Sequence, residues 1–136
     1  MEIFALSPRG ELEELAASLK GFPAPVELRP AESGLVMARG RIGGDGSAFN
    51  LGEILVSRCC LSVDGIAGFG YVLSGDLRHA ELCALLDALG SRPGSREAVA
   101  AAAEELGRRR LEEALRAEEE AKKTKVEFFT MVRGDD

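Results

Sequence analysis

Glu53-Ile54-Leu55-Val56-Ser57-Arg58-Cys59-Cys60-Leu61-Ser62-Val63, followed by Asp64-Gly65 and then Ile66-Ala67-Gly68-Phe69-Gly70-Tyr71-Val72-Leu73, is the stretch that decides the fold. Two apolar, β-prone runs flank a two-residue Asp-Gly step. Asp-Gly suits the type I′ turn, whose twist matches that of paired strands. The reading is an antiparallel hairpin of residues 53–63 with 66–73. Cys59 and Cys60 are adjacent, so on a strand they point to opposite faces. Gly68 and Gly70 lie two apart, where they allow a helix or another backbone to come close.

Toward the N-terminus, Val26 and Leu28 alternate with Glu27 and Arg29, Pro30 interrupts, and residues 35–42 resume as a further strand. Gly43-Gly44-Asp45-Gly46 reads as a turn. Before these, Ser7-Pro8 reads as a helix start, a capping Ser with Pro in the first turn. Leu12, Leu15, Ala16 and Leu19 follow at helical spacing until Gly21 and Pro23. Toward the C-terminus, Ser74 or Asp76 caps a central helix carrying Leu82, Leu85, Leu86 and Leu89, ended by Gly90. A long helix is expected from about 97 to 123. Its stripe of Val99, Ala103 and Leu106 continues in Leu111 and Leu115, and Gly107 weakens its middle by about 1 kcal/mol relative to Ala. Glu118–Lys122 and Glu119–Lys123 are spaced as helical ion pairs. Val126, Phe128 and Phe129 make the last segment too apolar for a free end. It is expected to be strand-like and buried, in its own sheet or against another chain.

These elements give an α+β domain. An antiparallel sheet of about four strands carries an N-terminal helix, a central helix and a long charged C-terminal helix ending in the apolar tail. The 136 residues suffice for one core and one domain, 1–136, with 96–136 placed to project toward a partner. Hydrophobic residues at 46% and charged residues at 29% are ordinary for a globular chain. The formal net charge of −6 argues against a nucleic-acid partner, which needs a basic surface. No segment is long and apolar enough to span a membrane, and the early acidic residues speak against a secretory leader. The expectation is a soluble cytoplasmic protein with reduced thiols.

The chemistry-bearing residues are few. His79-Ala80-Glu81 matches the first half of the zinc deaminase signature, but no Pro-Cys-x-x-Cys follows. With one His and no Cys-x-x-Cys, no metal site is expected. His79 and Glu81 fit better in the first turn of a helix, with Glu81 favoured by the helix dipole and His79 bonding locally or to a partner. Gly43-Gly44-Asp45-Gly46 lacks the Lys-Ser or Lys-Thr of a phosphate loop, and the glycines from Gly65 to Gly70 miss the dinucleotide pattern at Leu73. His79 and Cys83 share a helix face, but no third residue orients them as a nucleophilic pair. Arg39 and Arg41, with His79 around a glycine-lined pocket, are the ligand-binding candidates of an alternative reading as an autonomous enzyme. A homo-oligomeric adaptor is the other alternative.

Several blocks, in order, carry a family resemblance: Ala31-Glu32-Ser33-Gly34-Leu35-Val36, Arg39-Gly40-Arg41-Ile42-Gly43-Gly44, Gly70-Tyr71, the helix from His79 to Leu89, and Phe128-Phe129-Thr130-Met131-Val132-Arg133-Gly134-Asp135. Together they resemble PhnG, the G subunit of the bacterial carbon–phosphorus lyase core complex. The resemblance implies an accessory subunit without catalytic residues or cofactor of its own. It would act with the I, H and L subunits in replacing the adenine of ATP by an alkylphosphonate, giving a ribose 1-phosphonate 5-triphosphate. The J subunit then cleaves the carbon–phosphorus bond. The implied partners are the I subunit above all, then H and J, with a homodimer or swapped pair when the chain is isolated. The candidate partner contacts are His79, Glu81, Phe128, Phe129, Met131 and Arg133; on the alternative reading, the autonomous enzyme with Arg39 and Arg41 would bind a nucleotide or a phosphonate.

Overall fold

The computed structural model describes residues 2–44 and 46–134. Two short helices, α1 (Glu2–Leu6) and α2 (Arg9–Ser18), lead into strands β1 (Val26–Arg41), β2 (Ala48–Val63) and β3 (Ile66–Val72). Helices α3 (Leu77–Ser91) and α4 (Arg96–Gly134) complete the chain. The sheet is antiparallel in the order β1-β2-β3. The α+β class is as read from the sequence.

The Asp64-Gly65 turn sits where expected. Val63 pairs with Ile66, and Asp64 and Gly65 both take positive φ, 55° and 75°. This is the backbone a type I′ turn requires. From that turn β3 pairs with β2 as far as Val72 opposite Ser57. Three strands stand where about four were expected, because Pro30 does not end its strand. Residues 26–41 run as one strand whose register with β2 shifts on both sides of Arg29. Pro30 lacks an N–H and would break a central ladder, but β1 is an edge strand and the irregularity absorbs it.

One face of the sheet carries Cys59, Leu61, Val63 and Val72, all buried. Helix α3 covers it with seven buried residues, among them Ala80, Ala84 and Ala88 toward the sheet and Leu82, Leu86 and Leu89 in the core. The glycines of β3 are the condition for this packing. A Cβ built on Gly70 would overlap the Ala80 carbonyl oxygen, and one on Gly68 the Ala84 carbonyl oxygen. Phe4 and Leu12 fill the core from α1 and α2, and Val99 and Leu106 fill it from α4.

Local chemistry fixes the corners. Asp76 caps α3, its Oδ1 accepting from the His79 N–H at 3.1 Å. Arg92 donates to Asp64 Oδ2 at 2.8 Å and to the Gly21 carbonyl at 3.1 Å, tying the hairpin turn and the end of the α2 segment to the α3–α4 corner. The buried Ser95 hydroxyl donates to the Leu89 carbonyl at 2.6 Å, satisfying an acceptor at the end of α3. Ser7 is a correction. It makes no side-chain cap on α2; its hydroxyl donates back to the Ile3 carbonyl at 2.8 Å, because residues 2–6 already form a helix.

The C-terminal segment is the second correction. It is helical to Gly134 rather than strand-like, and Val126, Phe128 and Phe129 are 64%, 62% and 54% exposed. Extending a helix costs less than nucleating a new element, and no Gly or Pro interrupts residues 108–133. Leu111 and Leu115 are exposed too, so the buried stripe of α4 ends at Leu106. Two causes combine: Leu111 and Leu115 lie about 140° and about 180° around the helix from Leu106, and α4 with 39 residues, about 58 Å, outruns α3 with 15, about 22 Å. Of the two anticipated ion pairs, Glu118–Lys122 forms at 3.3 Å.

Two substitutions test this account. Gly70→Ala is expected to cost several kcal/mol, since backbone must move to admit one methyl group. Gly65→Val is expected to cost about 1–3 kcal/mol through positive φ alone, with open space around it. Urea unfolding of both variants checks the order, with Gly70→Ala the worse.

Candidate functional site

His79 lies in the first turn of α3, half-buried, and its Nε2 stands 2.9 Å from the Phe4 carbonyl oxygen. As the Nε2–H tautomer it donates there and fastens α1 to α3. It borders an open hollow of about 710 Å3 that Ala5, Leu6, Tyr71 and Leu73 also line. Arg39 and Arg41 do not border that hollow. They stand on the part of β1 that runs past the end of β3, so the autonomous pocket of Arg39, Arg41 and His79 does not form. Glu81 is half-buried and pairs with Arg78 at 3.2 Å.

The cysteines are not a reactive set. Cys59 and Cys83 are buried, and Cys60 is half-buried on the opposite face of β2. Burial pushes the Cys83 thiol up to about 12 and raises Cys59 as well, where the nearby Glu81 and Glu27 charges add to the effect. A thiol held neutral is a poor nucleophile and metal ligand. Among the described residues no three His, Cys, Asp or Glu side chains gather around a point that holds a metal ion.

What the structure does assemble is two apolar extensions. The first is a ribbon. β2 pairs with β3 only from Ser57 onward, so residues 34–41 of β1 and 48–56 of β2 form a two-stranded arm, about 25 Å long, beyond the three-stranded sheet. Leu35, Met37 and Leu55 lie on one face of it and Val36 and Ile54 on the other, all exposed. Phe49 and Leu51 follow near the tip, 41% and 64% exposed. A ribbon apolar on both faces matches a strand pair meant to be covered on both sides, and two strands alone are marginal in water. The signal was present in the sequence. Leu35-Val36-Met37-Ala38 and Ile54-Leu55-Val56 do not alternate, as half-buried strands would.

The second extension is the end of α4. Arg110 is its last anchor, with Nη2 donating to both Glu11 carboxylate oxygens at 3.1 Å. Every residue from Leu111 to Arg133 is exposed, a helix about 34 Å long. Its middle is charged, and its last turns carry Val126, Phe128, Phe129, Met131 and Val132. At about 100° per residue these five cover more than half of the helix circumference. A helix apolar over that much of its circumference belongs inside something. Phe128 and Phe129 meet edge to face, centroids 6.1 Å apart, and Lys125 Nζ lies 5.9 Å from the Phe129 ring centroid. Arg133 is exposed in the final turn. Four of the six candidate contact residues, Phe128, Phe129, Met131 and Arg133, thus share this end; His79 and Glu81 sit on α3.

The two sheet edges differ. On β3, Asp87 of α3 accepts from the Phe69 N–H at 2.9 Å and so occupies a donor on that edge. No helix of the described residues is long and apolar enough to cross a membrane.

The Cys83 thiol gives a pH test. An acid whose pKa is raised in the folded chain holds its proton longer there. The stability due to the neutral thiol is complete below its ordinary value of 9.0 and is lost as the pH climbs toward about 12. Cys83→Ala is expected to flatten that decline in urea midpoints. In the native protein an alkylating reagent should modify Cys60 well before Cys83, as mass spectrometry of the peptides would read.

Residues 1–134 match the family model of phosphonate metabolism protein PhnG. A relative from Rhizobium meliloti (strain 1021), the alpha-D-ribose 1-methylphosphonate 5-triphosphate synthase subunit PhnG, is 41% identical over 137 aligned positions, covering 100% of this chain and 88% of the relative.

Proposed function

Because the chain belongs to the PhnG family, we propose that it is an accessory subunit of a ribose 1-phosphonate 5-triphosphate synthase, working in phosphonate catabolism through docking rather than through an active site of its own. The observation that carries this reading is the pair of exposed apolar extensions, to which the open outer face of β3 adds Phe69 and Tyr71. Each buried Phe is worth about 1.5–3 kcal/mol, and α4 holds two of them in its last turns at more than half exposure. A free monomer gains nothing from that arrangement. A partner that encloses the helix end gains most of it.

The relative's name describes a subunit of a synthase whose product carries a phosphonate at C1 of ribose and a triphosphate at C5. On this reading the chain joins the I subunit first, then H and J, and supports the exchange of adenine for an alkylphosphonate on ATP. The α4 end enters a socket on the I subunit, and the ribbon lies in a cleft lined by apolar groups. The isolated chain covers the same surfaces by pairing with a second copy, as a homodimer or a swapped pair. His79 serves the body of the domain through Phe4, and Glu81 does so through Arg78.

Removing residues 126–136 separates folding from docking. None of the described side chains among them is buried, so the truncated chain is expected to melt within about 2 °C of the full chain, as surface changes usually do. Co-purification with a co-expressed I subunit should be lost. Full-strength co-purification of the truncated chain would overturn the docking role of α4.

A further inference from the structure

We propose that Arg39 and Arg41 bind the 5-triphosphate group of the synthase's substrate inside a neighbouring subunit's site, to which the β1–β2 arm carries them. This deepens the subunit reading above and rests on it. The two side chains are two residues apart on one strand and therefore project from the same face. Across β2 their partners are Asn50 and Ala48, neither of them acidic. Both arginines are exposed. Among the described residues neither forms an ion pair, as is also true of Arg29, Arg96, Arg116 and Arg133, while Arg9, Arg58, Arg78, Arg92, Arg108, Arg109 and Arg110 do; the two are distinguished by standing together on one face of the arm. The carboxylate nearest in register is Glu53, opposite Met37, and it pairs with neither arginine among the described residues.

The arm is therefore graded. Leu35, Met37 and Leu55 near its root give way to two guanidiniums near its tip, while Phe49 pairs with Gly40 on the opposite face. An apolar stem seats in a partner, and a cationic tip lies beyond it. In a chain of net charge −6, residues 39–50 hold two arginines against one carboxylate, Asp45, so the tip is a net positive end complementary to an anion. The substrate chemistry supplies one: a triphosphate presents several oxyanions in a row, and each guanidinium binds two of them in a planar fork. Just past Arg41 the backbone turns through Gly43 and Gly44, both at positive φ and without side chains of their own.

The test uses the reconstituted complex with the wild-type chain, with Arg39→Gln/Arg41→Gln, and with Arg39→Lys/Arg41→Lys, and inorganic tripolyphosphate as a competing probe. The glutamine pair is expected to assemble in normal stoichiometry, with the KM for the triphosphate substrate and the Ki for tripolyphosphate both raised about tenfold or more, the loss of at least one charge-assisted contact. The lysine pair should recover part of this, since it keeps charge without the fork. A glutamine-pair complex with wild-type KM and Ki would overturn the proposal. So would failure of that chain to assemble, which would make the arginines docking contacts. A complex fully active without this chain would instead sink the subunit reading. Where the wild-type chain is required and the glutamine pair replaces it fully, only the arginine proposal falls.

Discussion

The architecture depends on one close approach, that of the α3 backbone to β3. Gly68 and Gly70 bring the Ala84 and Ala80 carbonyls onto the strand itself, nearer than any side chain would permit. Everything else follows from this depth. With alanines facing the sheet, the leucines of α3 turn toward α1, α2 and α4 and build the core there. Asp87 then comes within reach of the Phe69 N–H, and the Asp76 cap sets the first turn of the helix against α1 through His79. A larger residue at either glycine would lift the helix and weaken all of these contacts at once.

The tight body contrasts with what extends from it. A small domain buries its apolar residues if it can, because each large side chain left in water forgoes about 1.5–3 kcal/mol. Here the core behind α3 does so, while the outer face of β3 keeps Phe69 and Tyr71 exposed and the arm and the end of α4 keep Leu35, Met37, Leu51, Phe128, Phe129 and Met131 exposed. Scattered single exposures need no explanation, but contiguous ones at two extremities mark surfaces for other chains. The charged middle of α4 fits the same picture. Ion pairs such as Glu118–Lys122 add only a few tenths of a kcal/mol each, enough with high helix propensity to keep a spacer helical without packing.

Much of the body was legible in the sequence for a local reason. The Asp64-Gly65 turn is dictated by backbone conformations that few other dipeptides adopt. The spacing of Gly68 and Gly70 announced a close contact, and Asp76 lies at a capping position that needs no tertiary information. Pro30 and Ser7 misled because their meaning depends on neighbours. A proline stops a central strand and is tolerated in an edge strand, and only the finished sheet makes β1 an edge. Ser7 was free to cap α2 until α1 formed before it and offered the Ile3 carbonyl instead.

The sequence by itself therefore determined the α+β class, the hairpin register at Asp64-Gly65, the helices' apolar faces and the family, since each rests on residue type at fixed short spacing. Tertiary structure alone decided where cover runs out. Leu106 and Met131 are both apolar and, 25 residues apart, lie within about 20° of one line along α4, yet one is 5% exposed and the other 71%. Likewise, residues 34–41 and 48–56 pair as ordinary strands, but they become an arm only because β3 stops opposite Ser57. Burial is a property of what lies opposite a residue, and sequence spacing cannot say where a neighbouring element ends.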